Sequence, residues 1–251
     1  MKTFLSDDGE LAYTEAGPGD GPLVLLLHSG FADHTVWRWQ VPELSERFHV
    51  VAMDLRGHGR SANASRPFRV ADDVAALIRH LDAGPAVVVG VSMGSGIAVE
   101  TALEHPDLVR ALVISGGGVM PLPPGHDPNE PPPMPTFPPD WPLSSMHRHD
   151  PEAVELLRKA LAGTMAKHTP DEPNLLVMVP DVPARLGELA KVPVLALDGE
   201  HDSPGFLAAT AAVTGAVERG ESVRVPEAMH LPNLENPRAY NQALLTFLDT
   251  L

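Results

Sequence analysis

Residues 87–94 read Val-Val-Val-Gly-Val-Ser-Met-Gly, and they narrow the possible folds more than any other stretch. A short, apolar, β-branched run ends in Gly90-Val91-Ser92-Met93-Gly94, and residues 95–105 then carry a helix-like pattern. Glycines two positions either side of Ser92 suit a very tight strand-to-helix turn, because the emerging helix would strike a larger side chain there. Such a turn holds its central residue in strained backbone geometry and projects the hydroxyl outward. The five-residue pattern alone is also compatible with a strand, a turn and a helix that carry a serine by chance. Ser92 is therefore a candidate nucleophile whose standing depends on partners elsewhere in the chain.

The length of 251 residues leaves room for one large α/β domain or two small ones, and a hydrophobic content of 43% suffices for a sizeable core. A formal charge of −15 argues against nucleic acid and anionic membranes as partners, since both would repel the chain. With no cysteine there is no disulfide, thiolate nucleophile or zinc–sulfur site. The first eight residues lack the apolar segment of a secretory signal, and no apolar run approaches the roughly 18–20 residues of a membrane span. The expectation is a soluble, cytoplasmic protein that meets a small-molecule substrate; its oligomeric state is not legible.

Taken in order, residues 4–5 and 11–13 predict a small hairpin at a sheet edge. Leu23–Leu27 is a continuous apolar strand of the kind buried on both faces. Residues 36–44 predict a short helix interrupted near Pro42, and residues 50–53 the next buried strand. Residues 72–81 have helical spacing, with Val74, Leu77, Ile78 and Leu81 on one face. Further strands are expected at 86–91 and 108–115, so strand and helix alternate, which implies a parallel sheet with helices on both faces.

The alternation breaks after Gly116-Gly117-Gly118. Half of residues 121–142 are proline, which excludes helix and central strand there. Residues 151–167 recover a helical pattern with Val154, Leu157, Leu161 and Met165 on one side, and 183–189 suggest a short helix. The expectation is a core of residues 1–118 and 190–251, with residues 119–189 inserted as a lid. Strand–helix alternation resumes with strands at 192–197 and 221–225 and helices at 206–214 and 237–251; Pro237 marks the start of the last.

A neutral serine needs a base within hydrogen-bond reach, itself oriented by a carboxylate. In an open parallel sheet reactive groups collect beyond the carboxyl ends of the strands. Asp202 follows the strand at 192–197 and His230 the strand at 221–225, so serine, acid and histidine each stand at a strand end.

The stretches Leu25-Leu26-Leu27-His28-Ser29-Gly30-Phe31, Asp54-Leu55-Arg56-Gly57-His58-Gly59-Arg60-Ser61, Gly90-Val91-Ser92-Met93-Gly94, Asp198-Gly199-Glu200-His201-Asp202 and Ala228-Met229-His230-Leu231-Pro232 resemble successive motifs of the α/β-hydrolase fold superfamily. Within it they resemble the enol-lactone hydrolase and small carboxylesterase branch. The resemblance covers nearly the whole chain except residues 121–189. It implies a mostly parallel eight-stranded sheet with helices on both faces, acyl-enzyme chemistry and no cofactor. The order Ser92, Asp202, His230 is that of the superfamily's triad. The pattern Gly199-Glu200-His201-Asp202 carries the acid to Asp202, which leaves Asp198 structural and Glu200 the weaker alternative.

An oxyanion needs two aimed donors. One is expected from the Met93 N–H at a helix start, and the other from Gly30, with Phe31 the second choice. The usual His-Gly dipeptide is here His28-Ser29-Gly30, which leaves that second donor open. His28 and His58 read as structural. His147, His149 and Asp150 have metal-like spacing but read as a solvated cluster, so no metal is expected. Phe31, Trp37, Trp39, Phe137, Trp141 and Met146 either line an acyl pocket or pack ordinarily.

These readings converge on a serine hydrolase acting on a small carboxylic ester or (enol-)lactone. The alternatives are the same triad in a perhydrolase, lyase or cyclase, and a ligand-binding protein with vestigial turnover. A serine nucleophile argues against the halide-displacing and epoxide-opening members of the superfamily, which use aspartate.

Overall fold

The computed structural model describes residues 1–119, 143–169 and 172–251. Eight strands, β1 (Lys2–Ser6), β2 (Gly9–Ala16), β3 (Leu23–Leu27), β4 (His49–Met53), β5 (Ala86–Val91), β6 (Val109–Ser115), β7 (Val194–Gly199) and β8 (Gly220–Val225), form one sheet in the order β1-β2-β4-β3-β5-β6-β7-β8. The β1–β2 hairpin and the β2–β4 pair are antiparallel, and every other pair is parallel.

The helices are α1 (Val41–Leu44), α2 (Val70–Leu81), α3 (Met93–Glu104), α4 (Pro151–Met165), α5 (Val182–Arg185), α6 (Pro204–Gly215), α7 (Pro232–Glu235) and α8 (Pro237–Leu248). Two hydrophobic clusters form, one on each face of the sheet. Leu23, Leu25 and Leu27 of β3 join the cluster under α2 and α3. Val24 and Leu26 join the one under α1, α4 and α8. Burial on both faces is why β3 and β5, and residues 50–53 of β4 and 111–114 of β6, read as continuous apolar stretches rather than as alternation.

Several expectations need correcting at this level. Pro42 does not interrupt a helix: His34–Trp37 form a 3₁₀ turn, and Pro42 sits in the first turn of α1, where its missing N–H costs nothing. The buried face of α4 is Ala153, Leu157, Ala160 and Thr164, while Met165 is 55% exposed. Only Leu157 was in the expected stripe, because a period of 3.6 read from large residues alone overlooks small ones that face a close-packed neighbour. β8 is an edge strand with only Val225 buried.

Residues 143–169 and 172–189 are closely tied to the rest of the chain. Met146, Ala153 and Leu157 enter one core cluster, and Val179, Val182, Leu186 and Leu189 enter the other. Leu176 bridges Phe68. Lys167 donates to the carbonyls of His58 and Ser61, and His168 Nε2 to that of Gly57 at 2.8 Å.

Candidate active site

β5 delivers Ser92 to the carboxyl end of the sheet and α3 begins at the next residue. Ser92 has φ 54° and ψ −116°, a conformation side chains of its handedness rarely adopt. The two glycines make this turn possible for different reasons. A Cβ on Gly90 would lie 2.2 Å from the carbonyl oxygen of Gly94, inside the first turn of α3. A Cβ on Gly94 would lie 2.2 Å from the carbonyl oxygen of Leu27, so its smallness lets the helix start against the end of the neighbouring strand. Ser92 N–H donates to Ser115 O at 2.7 Å. The buried Ser95 hydroxyl accepts from Ser115 N–H and lies within 2.9 Å of the carbonyls of Gly90 and Ser115, which ties the turn to β6.

The loops after β7 and β8 reach the same point. His230 Nε2 lies 2.8 Å from Ser92 Oγ, and His230 Nδ1 lies 3.4 Å from Asp202 Oδ2. Asp202 Oδ1 accepts from Ser203 N–H at 2.8 Å. His230 and Asp202 are both buried, and the Phe206 ring lies 4.2 Å from the imidazole at a 39° tilt. Gly116 closes the other side: its φ is +60°, and a Cβ there would lie 2.9 Å from His230 Nδ1.

Asp198 is bonded elsewhere. Its oxygens accept from Gly116 N–H at 3.1 Å, Thr210 Oγ1 at 2.6 Å and Arg224 Nη1 at 2.8 Å. Burial raises its carboxyl above the ordinary value against the pull of those donors. It anchors the loop that packs on the imidazole, whereas Asp202 is the carboxylate at His230 Nδ1.

The loop after β3 supplies the facing wall. His28 Nδ1 donates to Ser29 O at 2.8 Å and Nε2 accepts from Leu55 N–H at 3.0 Å, an arrangement that uses one neutral tautomer; burial pushes its pKa down. His58, with its ring 5.1 Å from that of His28, is pushed down to about 3, chiefly by burial. Phe31, not Gly30, adopts positive φ (60°). Gly30 lies beside Met93, whose sulfur is 3.9 Å from where a Cβ of Gly30 would sit. The Met93 N–H belongs to the first turn of α3, where the helix itself offers no acceptor.

The sequence model of the alpha/beta hydrolase fold family matches residues 22–143. Over 265 aligned residues the chain is 25% identical to 3-oxoadipate enol-lactonase 2 of Acinetobacter baylyi, covering 96% of this chain and 94% of that one. A hydrolase from Pseudomonas aeruginosa superposes with a TM-score of 0.75 at 26% identity, over 98% of this chain and 97% of the other. The chain has the α/β-hydrolase fold. Within it the chain resembles the enol-lactone hydrolases. The chain is also 38% identical to 2-(acetamidomethylene)succinate hydrolase of Mesorhizobium japonicum, but over only 110 residues, 43% of this chain and 40% of that protein.

The remaining expected site residues are distributed as follows. Trp37 is fully buried, with its ring 6.4 Å from that of Tyr240, and Met146 is buried in the same cluster. Both pack within that cluster. Phe137 and Trp141 lie outside the described residues. The His147 ring lies 4.3 Å from that of His201 at a 46° tilt, His149 Nε2 donates to Leu143 O at 3.0 Å, and Asp150 caps α4, so these three do not converge on one point. Among the described residues Asp33, His34 and Asp54 come close enough for one ion. Asp54 already accepts from His34 N–H, His34 Nδ1 and Arg60 N–H, and Asp33 caps the turn at Thr35.

Three residues that matter to this geometry carry little signal in the sequence: Gly116, Phe206 and Glu235. Glu235 is 3% exposed and its carboxylate accepts backbone N–H groups from both sides of His230. Glu235 stands in the mixed stretch Leu231-Pro232-Asn233-Leu234-Glu235-Asn236, where nothing in residue type marks it as buried.

Proposed function

We propose that the protein is a serine hydrolase that cleaves a small carboxylic ester or (enol-)lactone through an acyl-enzyme. The observation that carries the reading is the 2.8 Å approach of His230 Nε2 to Ser92 Oγ, with Asp202 at the other ring nitrogen. Ser92 Oγ attacks the carbonyl carbon while His230 Nε2 takes its proton. Asp202 holds Nδ1–H and stabilises the imidazolium. The tetrahedral oxyanion is bound by the N–H of Met93 and by that of Gly30, with Phe31 as second choice. Collapse breaks the carbon–oxygen ester bond, and the leaving oxygen takes the proton from Nε2; in a lactone it stays tethered to the acyl group. Water, deprotonated by His230, then attacks the acyl carbon, and Ser92 is released with the acid. Residues 119–189 are assigned as a lid over this site.

The test is covalent labelling by a fluorophosphonate, followed by Ser92→Ala. Labelling of the native protein and its loss in the variant are expected; persistent labelling would move the nucleophile elsewhere. Hydrolysis in heavy-oxygen water should place solvent oxygen in the acid product. An unlabelled product would favour a perhydrolase, lyase or cyclase using the same residues. Tight binding of a small ester or lactone without product release would leave a ligand-binding role.

A further inference from the structure

Glu235, at the end of α7, is a buried carboxylate that accepts from four backbone N–H groups in two separate segments. Oε1 accepts from Met229 at 3.0 Å and Leu231 at 3.2 Å, the residues on either side of His230. Oε2 accepts from His147 at 2.6 Å and Arg148 at 2.9 Å, in the foot of the inserted region. The His230 N–H between the first two donates to Ser145 O at 3.1 Å, two residues before His147. Three consecutive amides around His230 are thus gripped, two by Glu235 and one by the segment that Glu235 holds with its other oxygen. The bonds close a ring, and such charge-assisted bonds are roughly twice as strong as neutral ones.

We propose that Glu235 is a positioning residue that makes the seating of residues 143–149 and the alignment of the His230 imidazole a single event. Lifting that foot would release two donors from Oε2 and the acceptor of His230 N–H together. The backbone that aims the imidazole, 2.8 Å from Ser92 Oγ, then keeps only the two bonds to Oε1. The inference rests on His230 being the general base of the proposed hydrolysis.

Glu235→Gln tests it in the full-length protein. Glutamine keeps the length but has one acceptor oxygen, so its amide nitrogen must face one pair of N–H groups, donor against donor. Two readouts are needed: backbone hydrogen exchange of peptides spanning 143–149 and 228–231, and kinetics on a short-chain ester per site titrated with a fluorophosphonate. Exchange is expected to quicken in both segments together. The kcat per titrated site is expected to fall on the order of tenfold to a hundredfold with KM little changed, the signature of misplacement rather than of lost binding. Quickened exchange in one segment alone, or in neither, overturns the coupling. An unchanged kcat per titrated site with quickened exchange reduces Glu235 to a purely structural role and equally overturns the proposal. Should Glu235→Gln not fold, Glu235→Asp, which keeps the carboxylate but shortens its reach, is judged by the same readouts. Absence of fluorophosphonate labelling in the native protein would sink the hydrolase reading instead, and the clasp would then stand or fall on exchange.

Discussion

Replacing Gly116 by alanine should damage catalysis more than stability, and Gly84 provides the control that separates the two. Both glycines have positive φ, +60° and +79°. A side chain in that region costs about 1–2 kcal/mol wherever it stands. Around Gly84 a Cβ meets nothing within 4 Å, so Gly84→Ala should show that backbone cost alone. At Gly116 the new carbon would lie 2.8 Å from His230 O and 2.9 Å from His230 Nδ1. Contact at about 3.5 Å is the comfortable distance, so the imidazole must yield by roughly 0.5 Å. Gly116 cannot easily retreat, because its N–H is held by Asp198 and the preceding Ser115 carbonyl accepts from Ser92. A shift of roughly 0.5 Å reaches the tolerance of a reacting constellation, and kcat should fall about tenfold relative to Gly84→Ala. Thermal unfolding should fall by about 2–8 °C for Gly84→Ala and further for Gly116→Ala. The assay is steady-state hydrolysis of a short-chain p-nitrophenyl ester beside fluorophosphonate labelling. Equal kcat in the two alanine variants would refute the claim that Gly116 sets the imidazole's position.

Two other perturbations follow from the same geometry. Phe206→Ala removes the ring that lies 4.2 Å from the His230 imidazole. Aromatic pairs of this kind contribute about 0.5–1.5 kcal/mol, so the rate of fluorophosphonate labelling should drop about two- to tenfold; an unchanged rate would show that the ring is packing only. Glu100 on α3 has its carboxyl raised to about 8, chiefly by burial, with Glu104 adding to the rise and Arg69 opposing it. Its unfolded value is near 4.5, so the folded state holds an extra proton between the two. That contribution to stability is complete below the unfolded value and is lost as pH rises toward 8. Melting temperature should therefore fall between pH 6 and 8.5 and fall less steeply in Glu100→Gln; parallel slopes would contradict the shift.

The parts of the fold that were legible are those dictated by local chemistry. β3 was delimited to the residue because five consecutive apolar residues between a turn cluster and a histidine suit only a strand buried on both faces. The Ser92 turn was legible because the steric demand on Gly90 and Gly94 is written into residue size. What was not legible depends on neighbours distant in sequence. Gly116-Gly117-Gly118 read as the point where the sheet pattern stops, yet Gly116 is small because the ring of His230, more than a hundred residues later, occupies the space of its Cβ. Gly30 is the expected second oxyanion donor of its loop, while Phe31 takes the left-handed conformation, which only the surrounding loop can impose.

Glu235 shows the limit most sharply. A carboxylate is soluble on the surface and costly inside, and residue types alone say neither that one is buried nor what compensates it. Here the compensation is backbone, and backbone N–H groups leave no trace in residue identity. The side chains that do chemistry can be read from their types, because reaction demands those types. The groups that aim them are selected by the positions of main-chain atoms, and those positions exist only once the chain is folded. Residues 228–235 therefore combine a histidine that the sequence announces with a glutamate whose purpose it conceals.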